Sequence, residues 1–292
     1  MLDTGQFVQV QKRVLEDLFG PDWFVSSQPR DHPAYARWIL CNEILERGGH
    51  IGLGDKDRLV RFAELILDNY CLVQATRGQL GQFALGNLAN YGDTQVAKRI
   101  RAVIHEPRDF LDLLVELNYA AWHLSRGNQV QALEAEGRPD FEIVTSSPAA
   151  HLATDCKRVQ AGTSENRFRK LVNKANKQIK TLGTSCHGLV VIDVSERTPT
   201  LRQLGDSTSP EIDRVSNLLQ RSMHTSNTSV SGALITWRDT VIIPMTDGSG
   251  GTLCLLRQYS RIVRHAKPLH ELPPDDSFLR IGHTVGFQVQ PI

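Results

Sequence analysis

The run Gly188-Leu-Val-Val-Ile-Asp-Val194 narrows most what this chain can become. Strand side chains alternate between the two faces of a sheet, so a strand that is apolar on both must be covered on both. That places it inside a parallel or mixed sheet with helices on either side, an α/β arrangement. Helices of the required kind surround it. Pro107 opens one in which Phe110, Leu113, Leu114, Leu117, Ala120, Ala121 and Leu124 recur at helical spacing. Ser164 caps a second that runs to about Leu182-Gly183, with Phe168, Leu171, Ala175, Ile179 and Leu182 as its apolar stripe. A third fits Glu211 to Met223 after Ser209-Pro210.

Between the first two helices lie three strand-like stretches, Gln129 to Glu136, Asp140 to Thr145 and His151 to Val159. Gly137-Arg138-Pro139 and Ser146-Ser147-Pro148 supply the turns between them. Further strands are predicted at Ser229 to Trp237, Thr240 to Pro244 and Thr252 to Tyr259, the last beyond a glycine-rich loop at 246–251. The final thirty residues carry only weak patterning. The first hundred read as helices: one ending at Gly20-Pro21, one over His32 to Glu46, and one capped by Asp55 and running past Leu67. Two shorter helices are predicted near 80–89 and 93–103. The division expected is a helical region over 1–105 and a second domain over 106–292.

Strand alternation also sorts the chemistry. Asp155 and Lys157 share one face and Cys156 takes the other; Asp140 and Glu142 likewise share a face. Two neighbouring strands therefore each bring an acid to one edge, and the second adds a lysine two residues on. Such a set suits a hard, oxygen-ligated cation together with a phosphate. Glu134 and Glu136 could reach the same edge, or stand as solvated acids at a strand end.

Pro139-Asp140 followed by Asp155-Cys156-Lys157 resembles the PD-(D/E)xK signature of the restriction-endonuclease-like nucleases. The surrounding order resembles theirs too: an acid-bearing helix, a three-strand meander, a helix and a further strand, from about Asp109 to Val194. The likeness covers that core, with the region to Trp237 as its wider bound, and says nothing about residues 1–100. It implies a mixed central sheet flanked by helices, binding Mg²⁺, with Mn²⁺ able to substitute. Asp140 and Asp155 would hold the metal, with Glu116 or the main-chain carbonyl at Cys156 completing the shell. Lys157 would orient the attacking water or stabilise charge on the phosphate. Glu116 matches the helix glutamate of that family, and a solvated helix acid is its other reading. Asp155 departs from the commoner glutamate and would have to sit nearer the metal.

The resemblance implies a DNA endonuclease of a restriction, anti-phage or DNA-processing system, with RNA as an alternative substrate. It also allows an inactive relative used for nucleic-acid binding or assembly, and a working state as a homodimer or as a subunit of a larger defence complex. Charge distribution fits a polyanion partner locally. The chain's formal net charge is only +1. Yet between Lys157 and Lys180 the cations Lys157, Arg158, Arg167, Arg169, Lys170, Lys174, Lys177 and Lys180 face the single acid Glu165. Phosphate-backbone contact is expected from Arg158, Arg167, Arg169, Lys170, Lys174 and Lys177, with Gln178 turned toward the site.

Composition excludes several other classes. A 40% hydrophobic and 22% charged chain is ordinary for a globular protein. No apolar run approaches the length needed to span a bilayer, and Met-Leu-Asp-Thr-Gly is no signal peptide. The five scattered cysteines lack any CxxC, which predicts reduced thiols in a cytoplasm and no zinc site. No P-loop, zinc finger or helix-turn-helix signature is present.

Overall fold

The computed structural model describes residues 4–26, 30–52, 54–75, 104–133, 137–146, 148–160, 163–183, 185–195, 201–203, 210–223, 228–245 and 251–289. The helices expected at 80–89 and 93–103, Glu134, Glu136 and residues 246–250 of the glycine-rich loop lie outside them.

Four helices come first: α1 (Thr4–Phe19), α2 (Pro21–Val25), α3 (Pro33–Glu46) and α4 (Lys56–Ala75). Then follow α5 (Pro107–Ser125), β1 (Gln129–Ala132), β2 (Phe141–Ser146), β3 (Ala149–Arg158), α6 (Glu165–Lys180) and β4 (His187–Asp193). The chain ends with β5 (Leu201–Gln203), α7 (Pro210–Ser222), β6 (Gly232–Pro244), β7 (Thr252–Arg264), a 3₁₀ turn at Ser277–Leu279 and β8 (Thr284–Val289). The element order expected between Asp109 and Val194 is the order found.

One mixed sheet has the order β1-β2-β3-β4-β6-β7-β8, with β5 also pairing β6. β1, β2 and β3 form an antiparallel meander. β3, β4 and β6 are parallel, as the connection through α6 requires. β6, β7 and β8 are antiparallel again. The apolar run divides as its alternation demands. Leu189 and Val191 of β4 join the core under α1–α5, while Val190 and Ile192 join the core under α6 and α7. The result is three layers, with the sheet between two helical shells. The first of these cores is continuous across Glu106: residues of α1–α4, α5, β3, β7 and β8 all belong to it.

Local signals account for most boundaries. Asp55 Oδ1 accepts the Arg58 N–H at 3.2 Å, capping α4. At the end of α5, Gly127 has φ 75°. Its N–H donates to Leu124 O at 3.0 Å and the Asn128 N–H to His123 O at 3.1 Å, a Schellman close.

The predicted break between Trp237 and Thr240 is absent. β6 is one strand of 13 residues. Arg238 and Asp239 look like a turn in sequence, yet both are buried. Arg238 is drawn inward because it pairs with Asp68 of α4 at 2.8 Å. Two further strands had no sequence signal strong enough to find them. β5 is three residues long, and β8 is an edge strand on which only Phe287 and Val289 are buried.

Candidate metal and phosphate site

The register of the β2–β3 hairpin builds the site. Phe141 opposes Thr154, so one step further the antiparallel pairing sets Asp140 opposite Asp155. Asp140 Oδ2 accepts the Cys156 N–H at 2.7 Å, which ties the residue before β2 onto β3. Gly137 turns the chain there with φ 81°. Gln178 of α6 donates from Nε2 to Arg138 O at 2.7 Å, fixing the same turn from the helix side. Gln178 thus holds the Pro139-Asp140 turn in place.

Two facing carboxylates repel, and Lys157 sits between them. Its Nζ lies 2.5 Å from Asp155 Oδ1, 2.9 Å from the Cys156 carbonyl oxygen and 3.7 Å from Asp140 Oδ2. Three oxygens therefore converge on one position of positive charge. Asp155 is fully buried. Burial, reinforced by the Asp140 charge, pushes its carboxyl up to about 6 against the opposing pull of Lys157 and Lys174. Burial pulls the Lys157 ammonium down, but Asp140 and Asp155 more than offset this and hold it above its usual range. Lys157 is accordingly a fixed cation and a poor proton acceptor.

Asp155 Oδ2 is buried with no hydrogen-bond partner among the described residues. That orphaned oxygen, with Asp155 Oδ1, Asp140 Oδ2 and the Cys156 carbonyl, makes an all-oxygen donor set of the kind a hard divalent cation takes, and the last three now face the Lys157 ammonium, whose place an ion would share or take. The set's side chains are two, and no group of three or more His, Cys, Asp or Glu side chains suited to a metal occurs among the described residues. Glu116 therefore does not close a three-carboxylate cluster. It is only 4% exposed, so it is no solvated helix acid either. It lies near enough to Cys156 to help raise the thiol, after burial and Asp140. Cys156 turns its side chain into the core under α5 and offers the site only its main chain.

Lys174, which lowers the Asp155 carboxyl, brings the basic face of α6 to this edge. Arg167, Lys170, Lys174 and Lys177 recur at helical spacing and are exposed. Arg169 pairs with Glu165 at 4.0 Å. Arg158 leaves the helix face altogether and pairs with Asp112 of α5 at 3.0 Å. Sequence reasoning passed over Asp112 and its helical neighbour Arg108. Their signal was their position one and two turns before Glu116 on the same helix.

All five cysteines are free and buried, and no described helix is long and apolar enough to cross a membrane. Compared with protein-family models, with curated proteins and with solved structures, the chain matches none of them.

Proposed function

We propose that this chain is a Mg²⁺-dependent nuclease built on a restriction-endonuclease-like core, hydrolysing phosphodiester bonds in DNA. The observation that carries the reading is the convergence of Asp155 Oδ1, the Cys156 carbonyl and Asp140 Oδ2 on the Lys157 ammonium, beside an exposed basic helix face. Asp140, Asp155 and the Cys156 carbonyl would hold the metal. When bound, the ion supplies Lewis acidity and a water of lowered pKa. Lys157 remains protonated and donates to the phosphate oxygens on which charge develops. Lys170, Lys174 and Lys177 bind the flanking phosphates.

Supercoiled plasmid incubated with Mg²⁺ or Mn²⁺ tests this, with Lys157→Ala alongside. Metal-dependent nicking or linearisation that is lost in the variant supports the reading. Equal activity in the two overturns the site. No cleavage of plasmid, linear duplex, single-stranded DNA or RNA under either metal overturns the activity and leaves a binding protein of the same architecture.

A further inference from the structure

A second site opens at the far end of β3. A cavity of about 340 Å³ is lined by Arg108 and Asp112 of α5, Arg158 of β3, Gln160, Thr163 and Arg167 of α6. Both helices begin here, and neither Glu106 nor Ser164 caps its helix with a side-chain hydrogen bond. The first turns of the two helices already carry an acid each, Asp109 and Glu165, so the positive character of the pocket comes from its three guanidinium groups. Asp112 is paired with Arg158. Arg108 and Arg167 have no ion-pair partner among the described residues. The lining therefore carries a net charge of two positive units.

We propose that this pocket binds the phosphomonoester at the end of a nucleic-acid strand. An internal phosphodiester carries one negative charge, whereas a terminal phosphate carries about 1.5 to 2 near neutral pH, which the lining matches. Guanidinium forks suit its several oxygens. The identity of the ligand rests on the nuclease reading; the anion preference of the pocket does not.

Two independent rulers place the pocket relative to the acids. Arg158 lies three residues beyond Asp155 on β3, about 10 Å along the strand and, by alternation, on its other face, so it reaches the pocket from the α5 side. Arg167 lies seven residues before Lys174 on α6, about 10 Å along a helix. Strand and helix run in opposite senses, and the basic stripe of α6 joins the two ends. A strand end seated on the arginines would lay its first phosphodiesters along that stripe toward Asp155 and Lys157. The substrate class that follows is a phosphate-bearing strand end, cut within a few nucleotides of it.

The test is metal-free binding, which stands apart from any cleavage. Fluorescence anisotropy in EDTA compares one labelled duplex bearing a 5′-phosphate, a 3′-phosphate or only hydroxyl ends, with inorganic phosphate as competitor. The full chain should prefer one phosphate-bearing duplex about tenfold over the hydroxyl form. Arg108→Gln should abolish that preference, and Arg108→Lys should keep part of it. Arg108 is exposed, and an unchanged melting temperature would show that the variant folds. Inorganic phosphate should compete with the phosphorylated duplex more than with the hydroxyl one. Equal affinity for all three ends, or a preference that survives in Arg108→Gln, overturns the proposal. A phosphate preference in a chain that cleaves nothing would keep the pocket and remove the nuclease.

Discussion

Replacing Asp68 should unsettle the whole fold, because one carboxylate ties three elements together. Asp68 is 1% exposed. Its Oδ2 meets Arg37 of α3 at 2.5 Å and its Oδ1 meets Arg238 of β6 at 2.8 Å. Arg238 is buried, and Asp68 does most to hold its guanidinium above even its normal range against burial. Asp68→Ala leaves that guanidinium inside with the weaker pull of Asp193 and Glu64. Removing one partner of a buried pair costs about 3–5 kcal/mol. At roughly 2–4 °C per kcal/mol for a chain of this size, the melting temperature should fall by about 6–20 °C. Urea unfolding followed by far-ultraviolet circular dichroism and by tryptophan fluorescence would measure it, the two signals shifting together if α1–α4 and the sheet unfold as one body. The double variant Asp68→Leu/Arg238→Met removes both buried charges and should recover at least half of the loss, Arg37 being able to reach water. A loss below about 1 kcal/mol in Asp68→Ala, or a double variant worse than the single, would refute this account of β6.

Three other outcomes are expected. Gly188→Ala should cost at least about 2 kcal/mol in chemical denaturation, since a Cβ there would lie 2.0 Å from the Ser229 carbonyl oxygen. Acid should destabilise the protein through His32, whose Nδ1 accepts from Ala34 N at 3.1 Å and whose other ring nitrogen faces Ile104 O at 3.0 Å. Burial lowers this ring to about 4 from 6.5, so the unfolded chain gains the proton first. The ring's contribution is then full above pH 6.5 and is lost as pH drops toward 4 by on the order of 3 kcal/mol, and His32→Gln should reduce the slope in melts taken across the range without removing it, since burial also lowers His123 and His283. Asp155→Asn should lower metal-dependent plasmid cleavage by at least about 100-fold, comparable to removing a catalytic acid or base, while binding of DNA in EDTA persists.

Much of this architecture could be read from residue order because local and global signals agree there. The alternation in β4, the stripe of α6 and the proline-opened α5 each name a period that the packing then uses. The Asp140–Asp155–Lys157 grouping was legible for the same reason: a hairpin with short turns has little freedom in its register. What escaped depended on partners distant in sequence. Arg238-Asp239 reads as a turn until Asp68, far upstream in the chain, reaches across to hold it in. Glu116 reads equally as the family's helix glutamate and as a solvated acid, and only the closing of the sheet over α5 shows that it is buried. The arginine pocket needs residues 108, 158 and 167 to meet, and no window of sequence contains them together. Gln178 was expected to face the site and instead braces the turn that carries Asp140.

The packing of α4 against the last strands sets a problem of timing. Phe62 meets Phe287 edge-on at 5.1 Å between centroids, and Tyr70 meets His283 at 5.6 Å. More than two hundred residues separate the members of each pair. On a ribosome adding about 5–20 residues per second, α4 would emerge roughly 10–40 s before the strands that cover it. During that interval its apolar face has only its neighbouring helices for shelter, so the nascent chain presents a sticky surface that chaperones would recognise. Truncation within β7 or β8 makes that exposure permanent, so the late strands are a condition for the stable packing of the early helix α4.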